Sequence, residues 1–233
     1  MSRFVFISDL HTKHKKLFIP ECDFLICSGD ISSMGYEHEI QNFLAWFNKQ
    51  HARHKIFVAG NHDWLFERNR TLAKSLIPEG IIYLEDEPIE IEGFNFYGSP
   101  VQLEFCNWAF NRTEESLARY WEGIPDNTDI LITHSPPFGI LDEINHNGNH
   151  LGSPSLTDTI MNRVKPLIHV FGHIHSGHGV KNVNDILFIN ASNLDESYYP
   201  IYQPIIVDIV DNNILYTEEK IEYSFIPIKK KPV

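Results

Sequence analysis

Short apolar segments alternate along the chain with longer segments in which apolar and polar residues mix. The short segments have the length and the β-branched and aromatic composition of strands. Several are apolar at every position, which is typical of a sheet that is covered on both faces. The pattern predicts strands at Phe4–Ser8, Phe24–Cys27, Lys55–Ala59, Phe94–Tyr97, Ile130–Thr133, Leu167–Phe171, Leu187–Asn190 and Ile205–Ile209.

The longer segments have the spacing of amphipathic helices. In Glu37–His51, apolar residues recur at i, i+3, i+4 and i+7 and share one helix face: Ile40, Phe43, Leu44 and Phe47. We interpret this largely aromatic stripe as core packing rather than as a cofactor site. Further helices are predicted at Arg112–Glu122 and Ser155–Val164, and a hairpin turn at Asp211-Asn212-Asn213. The expected fold class is therefore α/β, with one domain over residues 1–233.

Composition and charge narrow the function classes. The chain has 31 acidic and 19 basic side chains, and its formal net charge of −12 disfavours long nucleic acids as partners, because their binding depends on phosphate neutralisation. No apolar run reaches the roughly 18 residues of a membrane span, and no secretory signal is recognised. Three cysteines without zinc-like spacing fit a reducing compartment, so we expect a cytoplasmic protein with no membrane partner. Lys229–Lys231 is expected to be a solvated tail.

Histidine is frequent, with 13 residues, and several histidines follow predicted strands. Five strands run into segments rich in Asp, Asn or His: Asp9-Leu10-His11, Gly29-Asp30, Gly60-Asn61-His62-Asp63, Thr133-His134 and Gly172-His173-Ile174-His175. In open α/β sheets, ligands bind at the carboxyl ends of the strands. Five such segments at one edge therefore predict a single convergent site.

The residue types at these strand ends suit divalent metal ions. In an extended chain, residues i and i+2 point to the same side, so the outer residues of Asp9-Leu10-His11 can face one point, as can those of His173-Ile174-His175. Mixed carboxylate, imidazole and amide ligands favour Mn, Fe or Zn. Seven candidates are too many for one open centre and suggest two ions that share a carboxylate: Asp9, His11, Asp30, Asn61, His134, His173 and His175. Such a pair suits phosphate ester hydrolysis, with His62 as the candidate to assist the leaving group.

In order and spacing, the five segments resemble the motif blocks of the calcineurin-like metallophosphoesterase superfamily. The sequences Phe57–His62, Thr133–Pro137 and His169–His175 are similar to its metallophosphoesterase domain-containing branch, which is related to class III cyclic nucleotide phosphodiesterases. Asn190–Ser192 and Gln203–Asp208 extend the likeness. The resemblance implies a two-sheet β-sandwich flanked by helices, a four-layer arrangement with the metal site at the C-terminal strand ends.

The resemblance also implies a role for each candidate. One ion would be held by Asp9, His11, Asp30 and His175, and the other by Asp30, Asn61, His134 and His173. Asp30 would bridge the ions, and His62 would bind phosphate and assist the leaving group, which makes these two the predicted catalytic residues. Because both histidines of Gly172-His173-Ile174-His175 are present, the resemblance favours an active enzyme.

The function that the resemblance favours is a phosphodiesterase that hydrolyses small phosphodiesters, such as cyclic nucleotides, by a metal-bridging hydroxide. A phosphomonoesterase, a nuclease and a nucleotide-binding or scaffold protein with little turnover stay open as alternatives. Protein serine/threonine phosphatases are disfavoured, because the arginines of that branch are missing from Ile31–Gly35 and at Ala59.

Substrate contacts are expected near the metal site. The aromatic and polar segment Gly98–Arg112 either forms a wall of the site or packs inward. The candidate substrate contacts are Asn61, His62, Asn107 and Arg112. Of the other histidines, His14 is expected to be exposed and His169 to be a core residue, while three flank glycine-containing loops that could line the mouth: His146, His150 and His178.

Overall fold

The structure is a computed structural model that describes residues 1–144, 148–210, 213–217 and 223–227. His146, the Asp211-Asn212 part of the expected turn and the tail at Lys229–Lys231 lie outside the described residues.

Strands and helices alternate through most of these ranges. The strands are β1 (Ser2–Ile7), β2 (Cys22–Cys27), β3 (Ala52–Phe57), β4 (Ile81–Tyr83), β5 (Glu87–Ile91), β6 (Phe94–Ser99), β7 (Gln102–Leu103), β8 (Asn111–Arg112), β9 (Ile130–Thr133), β10 (Ile168–Phe171), β11 (Gly179–Val183), β12 (Ile186–Asn190), β13 (Ile205–Val210), β14 (Asn213–Thr217) and β15 (Tyr223–Pro227). The α-helices are α1 (Glu37–Asn48), α2 (Trp64–Arg68), α3 (Arg70–Ser75), α4 (Glu114–Glu122) and α5 (Pro154–Thr159).

The strands form two large sheets and one short pair. The first sheet has the order β15-β14-β13-β1-β2-β3-β4, the second has the order β11-β12-β10-β9-β6-β5, and β7 pairs with β8. In the first sheet β1 to β4 run parallel, and in the second β6, β9, β10 and β12 run parallel. Within each parallel set, the carboxyl ends of the strands therefore lie along one edge.

Alternation along each strand decides what packs between the sheets. In β1, Phe4 and Phe6 face the inner layer, whereas Val5 and Ile7 face outward. The inner layer joins these phenylalanines to buried residues of the second sheet, among them Phe96, Ile130, Ile132, Val170 and Ile189. Because both faces of the central strands are covered, the strands read as continuous apolar runs.

Helices cover the outer face of each sheet. On the first sheet, α1 packs through the stripe expected from its sequence: Ile40, Phe43, Leu44 and Phe47. On the second sheet, Leu117 and Trp121 of α4 and Leu156 of α5 pack with Leu131 and Phe188. The layers are thus helix, sheet, sheet and helix, which confirms the predicted two-sheet sandwich flanked by helices.

Several element boundaries differ from the sequence predictions. Thr113 caps α4, with its Oγ1 accepting from the backbone N–H of Ser116 at 3.3 Å, so Arg112 lies in β8 rather than in the helix. The predicted segment Ser155–Val164 divides into α5 and a π-helical turn at Ile160–Val164. Four elements between β3 and β6 were not predicted: α2, α3, β4 and β5.

The prediction that His14 is exposed was wrong. Its side chain is buried, because a 3₁₀ turn at His14–Lys16 directs the ring toward Phe43 and Trp46 of α1, with ring centroids 5.9 and 5.1 Å away. His169 is buried in β10, where the sequence placed it. Among the described residues, no helix combines the length and the apolar content that a membrane span requires.

Candidate metal centre

The loops that carry the candidate ligands are joined by backbone hydrogen bonds. The amide of Asp9 donates to the Gly29 carbonyl at 3.0 Å, and the amide of His11 donates to the Asp30 carbonyl at 3.0 Å. These bonds extend the pairing of β1 and β2 beyond the strand ends. The first two motif segments therefore form one unit at the edge of the first sheet.

Four of the seven candidate ligands adopt left-handed backbone conformations. The φ angles are 53° at Asp9, 38° at His11, 51° at Asp30 and 70° at His173. Such angles are uncommon for residues with a side chain, and they persist where the surrounding structure holds them. Here they turn the chain sharply at the strand ends and direct carboxylate and imidazole groups into one space.

The first group of ligand atoms comes from Asp9, His11 and His175, whose atoms all lie within 4.8 Å of one another. His175 Nε2 is 3.6 Å from Asp9 Oδ1, and His11 Nε2 is 3.6 Å from Asp30 Oδ2. Such separations exceed a normal hydrogen bond. They match two ligands on one ion, because bonds of about 2.1 Å at tetrahedral angles place ligand atoms roughly 3.4 Å apart.

The second group converges on Asn61. His134 Nε2 lies 2.8 Å and His173 Nδ1 lies 2.9 Å from Asn61 Oδ1. Asp30 Oδ2 is 3.5 Å from His134 Nε2, so this same oxygen is close to both groups. The structure therefore brings all seven candidates together, with Asp30 between the two sets.

Carbonyl groups fix the orientation of two of the imidazoles. His134 Nδ1 is 2.9 Å from the Ser28 carbonyl, and His175 Nδ1 is 2.9 Å from the Asp195 carbonyl. A carbonyl only accepts, so each Nδ1 carries the proton and each Nε2 faces the cluster. Hydrogen bonds of this kind orient histidine ligands in metal sites.

Buried carboxylates dominate the electrostatics of the cluster. Burial acts to raise the pKa of Asp9 and Asp30, but the nearby imidazoles, His175 for the first and His134 for the second, hold both values well below the usual range. Burial likewise acts to lower the pKa of His134, yet Asp30 and Asp9 raise it to about 9. The pKa of His175 is also raised to about 9, chiefly by Asp9. The cluster thus attracts positive charge.

Two other imidazoles are neutral. Burial lowers the pKa of His11 to about 4 and that of His173 to about 3. Both ring nitrogens of His11 are buried and have no hydrogen-bond partner among the residues that the structure describes. A buried nitrogen without a partner is costly, and the neutral ring is the form that binds metal. The donor set, its spacing and the unpartnered His11 nitrogens therefore fit two divalent cations.

His62 lies beside this cluster, and a hydrogen bond determines which of its ring nitrogens is protonated. Its backbone amide donates to Asp30 Oδ1 at 2.8 Å, and its Nδ1 donates to the Ser33 carbonyl at 2.7 Å. The ring contacts His11 edge-on, with centroids 4.6 Å apart, and packs on Trp108 at 4.1 Å. Because Nδ1 is engaged, Nε2 is the nitrogen left for a ligand.

A cavity of about 340 Å³ opens over the cluster. Its wall is largely apolar and aromatic, with Leu103, Phe105, Trp108, Ile144 and Tyr198. Glu104 and Glu196 also line it, whereas no Lys or Arg does so among the described residues. The segment Gly98–Arg112 thus contributes to the wall of the site, one of the two arrangements that the sequence left open.

Two of the predicted substrate contacts lie elsewhere. Asn107 is exposed and is not among the described residues that line the cavity. Arg112 interacts with Glu67, at 3.5 Å, and with the Tyr120 hydroxyl, at 3.3 Å. The guanidinium is therefore directed toward α2 and α4 rather than toward the cluster.

Two of the flanking histidines are also turned away from the cavity. His150 Nδ1 pairs with Asp142 at 2.7 Å, and the ring of His178 stacks on Tyr202 with centroids 4.3 Å apart. Neither belongs to the described cavity lining. In contrast, sequence reasoning missed Tyr198, which contacts the cluster from a loop that carries no recognisable motif.

Comparison with known proteins identifies the family. The profile of calcineurin-like phosphoesterases matches residues 2–177. The chain belongs to the calcineurin-like phosphoesterase family. It is similar to metallophosphoesterase domain-containing protein 1 of Homo sapiens, with 36% identity over 231 residues that cover 89% of this chain and 71% of that protein. It is also similar to the UPF0046 protein C25E10.12 of Caenorhabditis elegans, with 35% identity over 228 residues, covering 89% and 80%. These relatives confirm the superfamily and the branch expected from the motifs.

Comparison with solved structures shows the same fold. A dimetal phosphatase from Danio rerio superposes with a TM-score of 0.58 over 98% of this chain and 99% of that chain, at 9% sequence identity. The likeness supports the four-layer fold.

Proposed function

We propose that this protein is a dimetal-dependent phosphodiesterase that hydrolyses small phosphodiesters, such as cyclic nucleotides. The observation that carries the proposal is the pairing of two metal-ligand groups around Asp30 with a largely apolar cavity beside them. The ligand groups supply the phosphate end of the site, and the cavity has room for the organic group of an ester.

The ligand sets fit the assignment implied by the motifs. Asp9, His11, Asp30 and His175 would hold one ion, and Asp30, Asn61, His134 and His173 would hold the other. When bound, two divalent cations supply positive charge for the phosphate oxygens and lower the pKa of a coordinated water to about 7. The two buried aspartates would hold these cations, so that a protein with a net charge of −12 can present positive charge to a phosphate.

His62 is proposed to act on the substrate itself. Its Nδ1 donates to the Ser33 carbonyl, so Nε2 is the nitrogen available to the substrate. In the imidazolium form, Nε2–H would donate a hydrogen bond to a phosphate oxygen and then transfer that one proton to the departing alkoxide, which leaves His62 neutral. The amide of His62 binds Asp30 at 2.8 Å, which keeps the ring beside the bridging carboxylate. The Trp108 ring packs on the His62 ring, with centroids 4.1 Å apart, and limits its movement.

Charge favours a diester over a monoester. A monoester carries about two negative charges at neutral pH and a diester one. Beyond the metal ligands, the described cavity lining offers no Lys or Arg for the second charge, and it includes Glu104 and Glu196. A carboxylate near a like charge disfavours binding. A diester, with one charge and a larger organic part, matches this lining better.

The test compares two aryl esters with the same leaving group. Protein loaded with Mn, Fe or Zn is assayed on bis(p-nitrophenyl) phosphate and on p-nitrophenyl phosphate, and then on 2′,3′- and 3′,5′-cyclic nucleotides. We expect a higher kcat/KM on the diester. Asn61→Ala and His62→Ala are expected to lower kcat by about 100-fold or more. The matched control is His51→Ala. His51 is exposed and lies just before the first residue of β3, at the end of the strand away from Asn61, so this variant should change kcat by less than about twofold.

Other outcomes select the alternatives. A higher kcat/KM on the monoester would identify a phosphomonoesterase. Metal-loaded protein that binds a nucleoside monophosphate but hydrolyses neither ester would be a nucleotide-binding protein, and the proposal would be wrong.

A further inference from the structure

The loop Asp195–Tyr199 is closed by its own hydrogen bonds. Asp195 Oδ1 accepts from the amides of Ser197, at 2.9 Å, and Tyr199, at 2.8 Å. The amide of Tyr198 donates to the Asp195 carbonyl at 2.8 Å. Within this turn Tyr198 has φ of 62°, a conformation that is uncommon for a bulky residue. Strain of this kind persists where the structure fixes it and is frequent at functional sites.

The turn places the Tyr198 ring on two proposed metal ligands. The ring meets His11 edge-on, with centroids 4.8 Å apart and planes at 83°, and meets His175 at 5.3 Å and 81°. The carbonyl of Asp195 also accepts from His175 Nδ1 at 2.9 Å. One loop therefore orients a ligand and sets an aromatic ring beside it. Tyr198 lines the cavity and is 41% exposed, and Lys13 Nζ lies 6.0 Å from the centroid of its ring.

Trp108 forms a second aromatic surface in the same cavity. Ring contacts run from Trp108 to His62, at 4.1 Å, from His62 to His11, at 4.6 Å, and from His11 to Tyr198, at 4.8 Å. Trp108 and Tyr198 thus stand at the two ends of a row of rings, with the reacting region between them. Together with Leu103, Phe105 and Ile144, these rings form the apolar surface of the cavity that can hold an organic group.

We propose that Tyr198 is a specificity-determining residue, whose ring stacks on a planar, uncharged group on the non-leaving side of the ester, such as a nucleobase. The inference rests on the proposed diesterase function and names the part of its substrate that Tyr198 recognises. Stacking of a base on an aromatic side chain increases the affinity by roughly tenfold.

The kinetic test uses two diesters with the same leaving group, methyl p-nitrophenyl phosphate and the p-nitrophenyl ester of thymidine 5′-phosphate. We expect the wild-type protein to prefer the thymidine ester. Tyr198→Leu should lower kcat/KM for that ester by about tenfold, mainly through KM, and should change the methyl ester by less than about threefold. Tyr198→Phe should retain the preference. Tyr199→Leu is the matched control, because Tyr199 is 64% exposed and is not part of the described cavity lining.

A binding measurement separates this inference from the proposed function. The affinity of metal-loaded protein for thymidine 5′-phosphate and for inorganic phosphate is measured by calorimetry. Tyr198→Leu should weaken the first by about tenfold and leave the second unchanged. Tyr198→Leu could instead weaken the affinities for thymidine 5′-phosphate and inorganic phosphate equally, or lower kcat/KM equally on the two esters. Either result would show that Tyr198 only supports His11 and His175, and would overturn the inference. Tyr198→Leu could weaken only the binding of thymidine 5′-phosphate while the wild-type protein hydrolyses neither ester. That result would contradict the diesterase function but support recognition of the base by Tyr198.

Discussion

Asp63 joins two of the loops that carry metal ligands, and its charge can be removed with almost no change in size. Its Oδ2 accepts from the amides of Gly60, at 2.8 Å, and Ile31, at 3.2 Å. Its Oδ1 accepts from the Ser32 amide, at 2.9 Å, and from Ser32 Oγ, at 2.6 Å. The side chain is fully buried. We therefore expect Asp63→Asn to destabilise the fold and to weaken metal binding.

The magnitude follows from the number of donors. Asparagine has one carbonyl oxygen, so at this position it accepts from one pair of donors and turns its NH₂ group toward the other pair. Each buried donor left without a partner costs about 1–3 kcal/mol, so the free energy of unfolding is expected to fall by about 2–6 kcal/mol. Ser32→Ala keeps the carboxylate but removes one of its donors and the acceptor of the Gly35 amide, and it is expected to cost about 1–3 kcal/mol.

Urea unfolding and metal titration together check this prediction. Burial and the charge of Asp30 raise the pKa of Asp63 to about 6, so the carboxylate is ionised at about pH 8 and the comparison is made there. The expected order of stability is wild type, Ser32→Ala, then Asp63→Asn. Metal affinity of Asp63→Asn should fall by about 10- to 100-fold, because the loops of Asp30 and Asn61 lose their link. An unfolding free energy within about 1 kcal/mol of the wild type, with unchanged metal affinity, would refute the reasoning.

Two further substitutions test the packing behind the site. His169→Phe should reduce the loss of folding stability in acid. Burial lowers the pKa of His169 in the folded protein to about 3, whereas in the unfolded chain this side chain titrates near 6.5. The unfolded state therefore gains protons first, so the free energy of unfolding falls as the pH drops below about 6.5. Between about pH 8 and pH 5 the wild type should lose about 2 kcal/mol more than the variant in urea unfolding, and equal losses would count against this. Gly60→Ala would place a methyl group against the Asp30 amide and 2.7 Å from His134 Cε1. We expect metal affinity to fall by about tenfold or more in a chelator competition assay, and wild-type affinity would show that the loops can move apart.

The central strands could be predicted because burial on both faces leaves a strong signal. Every predicted strand overlaps an observed one, and the stripe on α1 packs where its spacing placed it. The elements that were missed have weaker patterns. In β5, an edge strand, Glu87 and Glu90 interrupt the apolar run, and α2 and α3 span five and six residues, which is too short for a helical period to show.

Side-chain direction in loops was harder to predict. His14 lies among lysines, which suggests exposure, but the 3₁₀ turn directs its ring under α1. Arg112 stands close to the site in sequence, but it pairs with Glu67 and Tyr120. In both cases tertiary contacts decide the direction, and such contacts leave no trace in spacing along the chain.

The candidate ligands could be predicted from the sequence for a reason other than burial. Their chemistry is carried by residue type, and parallel strands bring their carboxyl ends to one edge whatever the loops do. Tyr198 has no such signal, because its position depends on a left-handed turn that Asp195 closes through its side chain. A tyrosine in a polar loop shows nothing of this in the sequence.

Hydrogen bonds between protein groups also hold the loops that carry the candidate ligands. Left-handed conformations at Asp9, His11, Asp30 and His173 carry strain, and hydrogen bonds that need no metal hold them in place. The His173 amide donates to both Asp9 oxygens at 3.0 Å, and Ser192 Oγ donates to Asp9 Oδ2 at 2.7 Å. These bonds fix a buried negative charge, and although burial acts to lower the pKa of His134, the carboxylates of Asp30 and Asp9 raise it to about 9. The protein's own hydrogen bonds therefore contribute to the arrangement of the ligands, and divalent cations would add neutralisation of the buried carboxylates.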